Sequence, residues 1–173
     1  MEKIFPKKPE ELTITEQLDV SEYVVMGEVL EREVKEIELE DQPELGPGII
    51  ALVTIRVEEW LKVPPDGLRE GEEEQIIVIS TEDKVKLGRR MIYSMIIGGG
   101  TRFEPGERVI LFLRRREGTK YFHLLFGACS RYNIEADSVY SESFPKTHRF
   151  ALDNFLQQIR NHVGTKSVEE VKP

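Results

Sequence analysis

The 173-residue sequence contains one cysteine, Cys129, and three histidines. A single cysteine excludes an internal disulfide and a cysteine cluster of the kind that holds structural zinc. The histidines are not spaced as metal ligands such as an H-x-x-x-H pair, so the sequence predicts neither a metal nor a cofactor. We expect Cys129 and His123 to be core or barrel-edge residues in strands, His148 to lie in a loop, and His162 to lie near a helix C-terminus.

Long apolar runs are also missing. No stretch approaches the ~18 apolar residues of a membrane-spanning helix, so no membrane span is predicted. The N-terminus, MEKIFPKKPEELT, lacks the apolar segment of a secretory leader. The chain is therefore either cytoplasmic, or exported or held at the cell surface after removal of a leader.

The three glycines Gly98 to Gly100 lack the surroundings of a phosphate-binding loop. Such a loop leads from a strand into the N-terminus of a helix, and a P-loop adds Lys-Ser/Thr at a fixed position. Here Pro105 and the apolar run Val109 to Leu113 predict a turn into a strand. The glycines are therefore interpreted as a bend at a barrel corner.

Two further groups lack the context that their chemistry requires. Ser130, His148 and Asp153 are the residue types of a catalytic triad, but no glycine-flanked nucleophile supports that role. The acidic run from Glu36 to Glu44 lacks the D-x-[DN]-x-[DN]-G order of a calcium loop. We interpret the acidic run as solvated charge.

Charge is distributed unevenly along the chain. Residues 1–83 hold 8 Lys/Arg against 23 Asp/Glu, a net of -15, and residues 84–173 hold 16 against 9, a net of +7. The favoured interpretation is that the two halves neutralise each other within one compact fold. A basic face reserved for an anionic partner is the alternative.

The apolar pattern predicts a chain of strands. A short helix is expected over residues 15–20, and Gly27 marks a bulge or bend in the long first strand. Further strands are predicted within residues 49–63, 75–81, 91–97, 108–115 and 121–127. Alternation in the second strand predicts a shared inward face of Ile49, Ala51, Val53, Ile55 and Val57.

The strands at 108–115 and 121–127 are apolar on both faces, and the turn between them contains Gly118. A sheet open to water needs only one apolar face, so a second element must cover the other. A C-terminal helix supplies it, with Asp153 or a neighbour as cap and Gly164 as stop. Its apolar stripe consists of Leu152, Phe155, Leu156, Ile159 and Val163.

These features predict a mainly β fold: a small curved antiparallel barrel with a short N-terminal helix and a C-terminal helix packed on the outside. The order YVVMGEVLE, TIRVEEWLKV, FEPGERVILFL, YFHLLFGACSRYNI and LDNFLQQIR resembles OB-like barrel domains of exported bacterial and archaeal proteins, loosely similar to the tissue inhibitors of metalloproteinases. The resemblance implies a fold over residues 13–164, between tails at 1–12 and 165–173. The inhibitory mechanism is not implied, because those inhibitors use an N-terminal cysteine.

A nucleic-acid interface is the first alternative function. The second half carries the aromatics Tyr93, Phe103 and Tyr121 among its basic residues, which is typical of single-strand binding. In OB barrels the first and last hairpin loops flank the oligonucleotide. The last, RRREGTK, suits phosphate, whereas the acidic loop 39–48 repels it. The basic residues are Lys84, Lys86, Arg89, Arg90, Arg102, Arg108, Arg114, Arg115, Arg116, Lys120 and Arg131.

We therefore predict a non-catalytic binding or protein-interaction module with an unidentified protein or anionic partner. The candidate binding residues are Arg114, Arg115, Arg116 and Lys120, at a hairpin tip expected to be exposed to solvent. Two alternatives stay open. A single-stranded nucleic-acid binder requires one continuous basic groove, and an enzyme requires a pocket that joins His123, His148 or Cys129 to a carboxylate.

Overall fold

The computed structural model describes residues 13–38, 47–80, 84–87, 90–93, 101–116, 118–142 and 149–171. These residues form two α-helices, ten strands and a 3₁₀ turn at Gly127–Ser130. The helices are α1 (Ile14–Val20) and α2 (Leu152–Val171). The strands are β1 (Tyr23–Glu38), β2 (Pro47–Lys62), β3 (Gln75–Ser80), β4 (Lys84–Leu87), β5 (Arg90–Tyr93), β6 (Arg108–Arg115), β7 (Phe122–Leu124), β8 (Arg131–Glu135), β9 (Ser138–Ser141) and β10 (Arg149–Ala151).

Five of the strands close into a barrel. Their order is β1, β2, β3, β7 and β6, and the circle closes because β6 also pairs with β1. The β3–β7 pair is parallel and the other four pairs are antiparallel. The predicted mainly β barrel with one short N-terminal and one C-terminal helix is confirmed, with one parallel pair in place of a wholly antiparallel arrangement.

Gly27 makes the bend in β1 possible. The β1–β2 register shifts between Met26 and Gly27, as the sequence predicted. A Cβ atom at Gly27 would lie 2.4 Å from the carbonyl oxygen of Arg56 and 2.7 Å from Cγ2 of Ile55. Only glycine allows the two strands to approach this closely.

The barrel interior forms the first of two cores. It contains Ala51, Val53 and Ile55 of β2, with Val57 packed at its edge, which confirms the predicted inward face over these residues. The alternate residues Val109, Leu111 and Leu113 of β6 enter the same core. The side chain of Ile49 lies outside the described residues.

The second core lies outside the barrel, beneath α2. Ile110 and Phe112, on the opposite face of β6, pack there with Phe155, Leu156 and Ile159 of the helix. Leu152 and Val163 lie at its edge, so the predicted apolar stripe is confirmed. The core beneath the helix takes residues from β1, β2, β6, β8 and β9, so the expected packing on the hairpin holds for β6 but not for β7.

The strand after the hairpin differs from the prediction. It was expected over residues 121–127, but β7 ends at Leu124, and the 3₁₀ turn holds the buried Cys129 that was expected in a strand. Beyond the turn, β8 pairs with the same edge of β6 and leads into β9 and β10. After the 3₁₀ turn the chain leaves the barrel, and β8, β9 and β10 extend the same eight-stranded sheet.

Helix α2 differs from the prediction at its C-terminal end, and at its N-terminal end Asp153 itself is not the cap. Gly164 lies inside the helix rather than ending it, so the tail expected from residue 165 is helical as far as Val171. A glycine in a helix costs about 1 kcal/mol but does not break the hydrogen-bond pattern. Asp153 lies in the first turn, where a carboxylate favours the helix dipole, rather than at the cap.

Several predictions concern residues outside the described ranges: the tail 1–12, the acidic segment 39–46, the glycines 98–100 and the loop residue His148. Among the helices that are described, none combines the length and apolar character needed to cross a membrane.

Candidate functional site

A cleft of about 820 Å³ opens at one end of the barrel, between the β6–β7 hairpin and the segment that joins β2 to β3. Its basic lining consists of Arg69, the run Arg114 to Arg116, and His123. Glu22 and Asp66 supply the carboxylates. We call it the arginine cleft. Lys120, the fourth predicted binding residue, is exposed on the hairpin and is not part of this lining.

Arg115 forms the inner wall of the arginine cleft. Its Nη1 and Nη2 donate to the two carboxylate oxygens of Glu72 at 2.8 and 2.7 Å, and its side chain is only 12% exposed. The guanidinium lies 4.5 Å from the ring centroid of Phe122 and 5.3 Å from that of Tyr23. The expectation that the whole run Arg114 to Arg116 is exposed is therefore wrong for Arg115.

Strand alternation explains this difference. Val109, Leu111 and Leu113 point into the barrel, and Arg115 continues the same face at the point where the barrel ends. Arg114 belongs to the opposite face and is exposed. The period of two was visible in the sequence and could have separated Arg115 from its neighbours.

Glu72 belongs to the segment between β2 and β3, which forms the wall opposite Arg115, so the ion pair holds that wall in place. Burial raises the pKa of Glu72, but hydrogen bonds from the Arg115 side chain and the Arg69 backbone N–H outweigh it, so the pKa lies below its usual value. Hydrogen bonding to Glu72 raises the pKa of Arg115. Trp60 Nε1 donates to the Glu72 carbonyl at 2.8 Å, and Arg69 Nη1 donates to the Thr119 carbonyl at 2.9 Å. The segment before β3 is thereby tied to the hairpin.

Arg114 and Arg116 provide the accessible positive charge of the cleft. Arg114 Nε lies 3.7 Å from Glu22 Oε1, and both side chains are about half exposed. Arg116 is exposed and has no carboxylate partner within the described part of the chain. An anion entering the cleft would meet two guanidinium groups that are only weakly engaged elsewhere.

His123 lies on β7 directly across from Arg114 in the β6–β7 register. Burial lowers the pKa of His123, and the nearby charges of Arg114 and Arg116 lower it further, against a smaller opposing effect of Glu22. The imidazole is therefore neutral at pH 7. The cleft holds a neutral histidine beside two cations, and the described residues lining it include no serine, threonine or cysteine.

Arg131 was expected in a basic surface but is one of the most buried side chains that the structure describes. Its guanidinium donates to Asn133 Oδ1 and Thr101 Oγ1 at 2.8 Å and to Glu107 Oε1 at 3.0 Å. It also lies 4.2 Å from the ring centroid of Phe103, which is itself buried. Arg131 fastens the segment before β6 to β8, and no local sequence signal marks this role.

The structure does not bring the predicted nucleic-acid residues together in one groove among the described residues. Phe103 and Arg131 are buried, and Tyr121 is partly buried. Arg108 donates to both carboxylate oxygens of Glu58 at 3.1 and 2.8 Å. For the β4–β5 residues Lys84, Lys86, Arg90 and Tyr93 the structure describes the backbone pairing, and Arg89 lies outside the described ranges.

Acidic residues of the first half pair with basic residues of the second. Nitrogen–oxygen distances are 2.8 Å for Arg108–Glu58, 2.7 Å for Arg115–Glu72 and 2.7 Å for Arg160–Glu59. His162 lies 2.8 Å from Asp19 and joins α2 to α1. These pairs join the two halves within one fold, in the direction that the favoured interpretation predicted. Arg116 forms no such pair within the described part of the chain.

The other candidate chemistries gain no site from the described residues. Ser130 is buried, and its Oγ accepts a hydrogen bond from the Phe126 backbone N–H at 2.7 Å. No three His, Cys, Asp or Glu side chains of the described residues are grouped as metal ligands.

Comparison with known proteins adds no family. The sequence matches no protein-family model, and no curated protein is significantly similar to it.

Proposed function

We propose that this protein is a non-catalytic interaction module whose arginine cleft binds an acidic peptide segment of a partner protein. The observation that carries the proposal is the exposed pair Arg114 and Arg116 on the wall of a cleft of about 820 Å³. That volume lies within the range of small-molecule binding pockets. Within the described chain Arg116 has no carboxylate partner and Arg114 has a contact of 3.7 Å with the half-exposed Glu22, whereas most other arginines form ion pairs at 3.3 Å or less.

The closed barrel supports this role because it is a rigid scaffold for the β6–β7 hairpin. Its order of five strands with one parallel pair is consistent with the OB-like architecture that the sequence resembles, and that assignment is part of the proposal. In OB folds the loop between the last two barrel strands takes part in ligand binding. The β6–β7 hairpin is the corresponding loop here, and Arg114 and Arg116 lie at its base.

A peptide suits the cleft better than a nucleic acid. Base stacking needs exposed aromatic rings, but Tyr23, which lines the cleft, is buried. Glu22 and Asp66 interrupt the basic lining, so the cleft offers no continuous row of cations along which a phosphate backbone could lie. A short acidic peptide needs only two carboxylates for this lining, one for Arg114 and one for Arg116, and the rest of its chain can lie outside the cleft.

The proposal is tested by fluorescence anisotropy with a labelled hexaglutamate peptide. The double variant Arg114→Ser/Arg116→Ser keeps the buried Arg115, and exposed charges contribute about 1 kcal/mol or less each, so we expect a 5- to 30-fold loss of affinity. The matched control Arg56→Ser/Arg102→Ser removes two arginines that are 56% and 58% exposed outside the cleft. The control should bind as the parent does.

Equal losses in the two double variants would show non-specific charge attraction and overturn the proposal. A labelled single-stranded DNA or RNA is titrated in parallel at about 150 mM salt, where phosphate contacts alone are weak. Submicromolar binding of the oligonucleotide, reduced by the Arg114/Arg116 double variant, would assign the cleft to nucleic acid instead.

A further inference from the structure

A second cleft of about 530 Å³ adjoins the arginine cleft, and the two share Glu22 and Pro64 in their linings. Glu22 and Pro64 therefore lie where the two clefts adjoin, next to the segment that leaves β2. The apolar part of the second cleft consists of Leu18, Val63, Pro64, Pro65 and Val163.

Val63 is unusual for its exposure. It is 42% accessible, and it is one of three large apolar side chains classed as exposed in the described chain, with Leu30 and Phe150. Leu30 and Phe150 line neither cleft. An exposed apolar side chain beside a cleft is a feature of binding surfaces.

The polar groups of the second cleft are already engaged within the protein. Lys62 Nζ donates to the Leu18 carbonyl at 2.5 Å, and His162 Nε2 lies 2.8 Å from Asp19 Oδ1. A ligand group placed here therefore gains mainly by covering Val63 and the prolines. The arginine cleft therefore presents exposed positive charge, and the second cleft presents exposed apolar surface.

We propose that the partner segment is an extended peptide with two parts: acidic residues that occupy the arginine cleft and adjacent apolar residues that cover Val63 in the second cleft. This inference rests on the proposed function, because it assigns the acidic part to Arg114 and Arg116. An extended chain advances about 3.3 Å per residue, so a peptide of nine residues reaches about 30 Å, and the clefts that it would enter are adjacent.

The test compares peptides in which hexaglutamate is extended by Leu-Val-Leu, at its N- or C-terminal end, with a control extended by Ser-Gly-Ser. We expect one of the two apolar peptides to bind at least fivefold more tightly than the control. Val63→Ser should remove this gain and leave hexaglutamate binding unchanged. Leu30→Ser removes an apolar side chain of similar exposure, 41%, outside both clefts and should preserve the gain.

Equal affinity of the apolar and Ser-Gly-Ser peptides would overturn the inference, as would a gain that survives in Val63→Ser. Either result leaves the proposed function standing if hexaglutamate still binds in a manner that depends on Arg114 and Arg116. If the parent protein does not bind hexaglutamate, both proposals are overturned. Thermal melting of the Val63 and Leu30 variants verifies that each is folded.

Discussion

Replacing Arg115 by serine should destabilise the fold, whereas the same change at Arg114 or Arg116 should not. The substitution removes both hydrogen bonds to Glu72 and leaves a carboxylate that is only 9% exposed without its cation. It also removes the guanidinium from the rings of Tyr23 and Phe122. Breaking a buried ion pair costs about 3 to 5 kcal/mol.

Two features reduce this cost. Glu72 keeps the hydrogen bond from the Arg69 backbone N–H at 2.7 Å, and the pair lies at the open end of the barrel rather than at its centre. We therefore expect a loss of about 2 to 4 kcal/mol for Arg115→Ser. For a chain of this size that corresponds to a fall in Tm of roughly 5 to 15 °C. The exposed Arg114 and Arg116 should each contribute about 1 kcal/mol or less.

Urea and thermal denaturation of the three single variants measure the difference. The double variant Arg115→Ser/Glu72→Gln should recover part of the loss, because it no longer leaves a buried charge unpaired. The pKa of Glu72 lies below its usual value, so the pair stabilises the fold above about pH 4.5 and this contribution is lost as the pH falls further. Three single variants of equal stability would refute the buried position of Arg115.

Three further predictions concern the core, the bend and pH. Phe155→Ala should cost about 3 to 5 kcal/mol, since the ring is buried between α2 and the barrel, and an unchanged Tm would contradict that packing. Gly27→Ala should cost at least about 1 to 3 kcal/mol, because its Cβ would lie 2.4 Å from the Arg56 carbonyl oxygen; a stability equal to that of the parent would show that the strands separate freely. The pKa of His123 is lowered in the folded protein, so the unfolded chain binds more protons below about pH 6.5, and stability should fall as the pH drops through that range. Urea titrations at several pH values should show that His123→Gln abolishes this part of the pH dependence. If the free energy of unfolding depends on pH equally in the variant and the parent, His123 is not its source.

Much of the fold could be predicted because its signals are periodic. Alternation in β2 identified the inward face, and the helical spacing from Leu152 to Val163 identified the outer layer. Gly27 was identified as a bend because glycine inside a long apolar strand needs a steric reason. These signals lie within about twenty residues of sequence.

The elements that escaped prediction depend on contacts between distant residues. The 3₁₀ turn at Gly127–Ser130 separates β7 from β8, and both strands pair with the same edge of β6. No local sequence pattern specifies this change of pairing partner. Arg131 carries the residue type of a surface cation, but the side chains of Thr101, Asn133 and Glu107 provide for its burial. Its partners lie up to 30 residues away in the chain.

Part of the candidate site could be predicted from the sequence. The run Arg114 to Arg116 was identified as cationic, and the period of two in β6 separates Arg115 from its neighbours, but the burial of Arg115 depends on its pairing with the distant Glu72. Arg69 and His123 join the site only because the segment before β3 folds back against the hairpin. That closure depends on Glu72, which is one of several acidic residues in its local sequence and carries no signal of its own.

The most direct test of the arginine cleft is a titration of the ¹⁵N-labelled protein with hexaglutamate peptide, followed by NMR. The proposal predicts that the largest saturable shift changes occur at Arg69, Arg114, Arg116 and His123, and that the Arg114→Ser/Arg116→Ser variant loses them. Saturable changes confined to residues outside the cleft, or none at millimolar peptide, would contradict it.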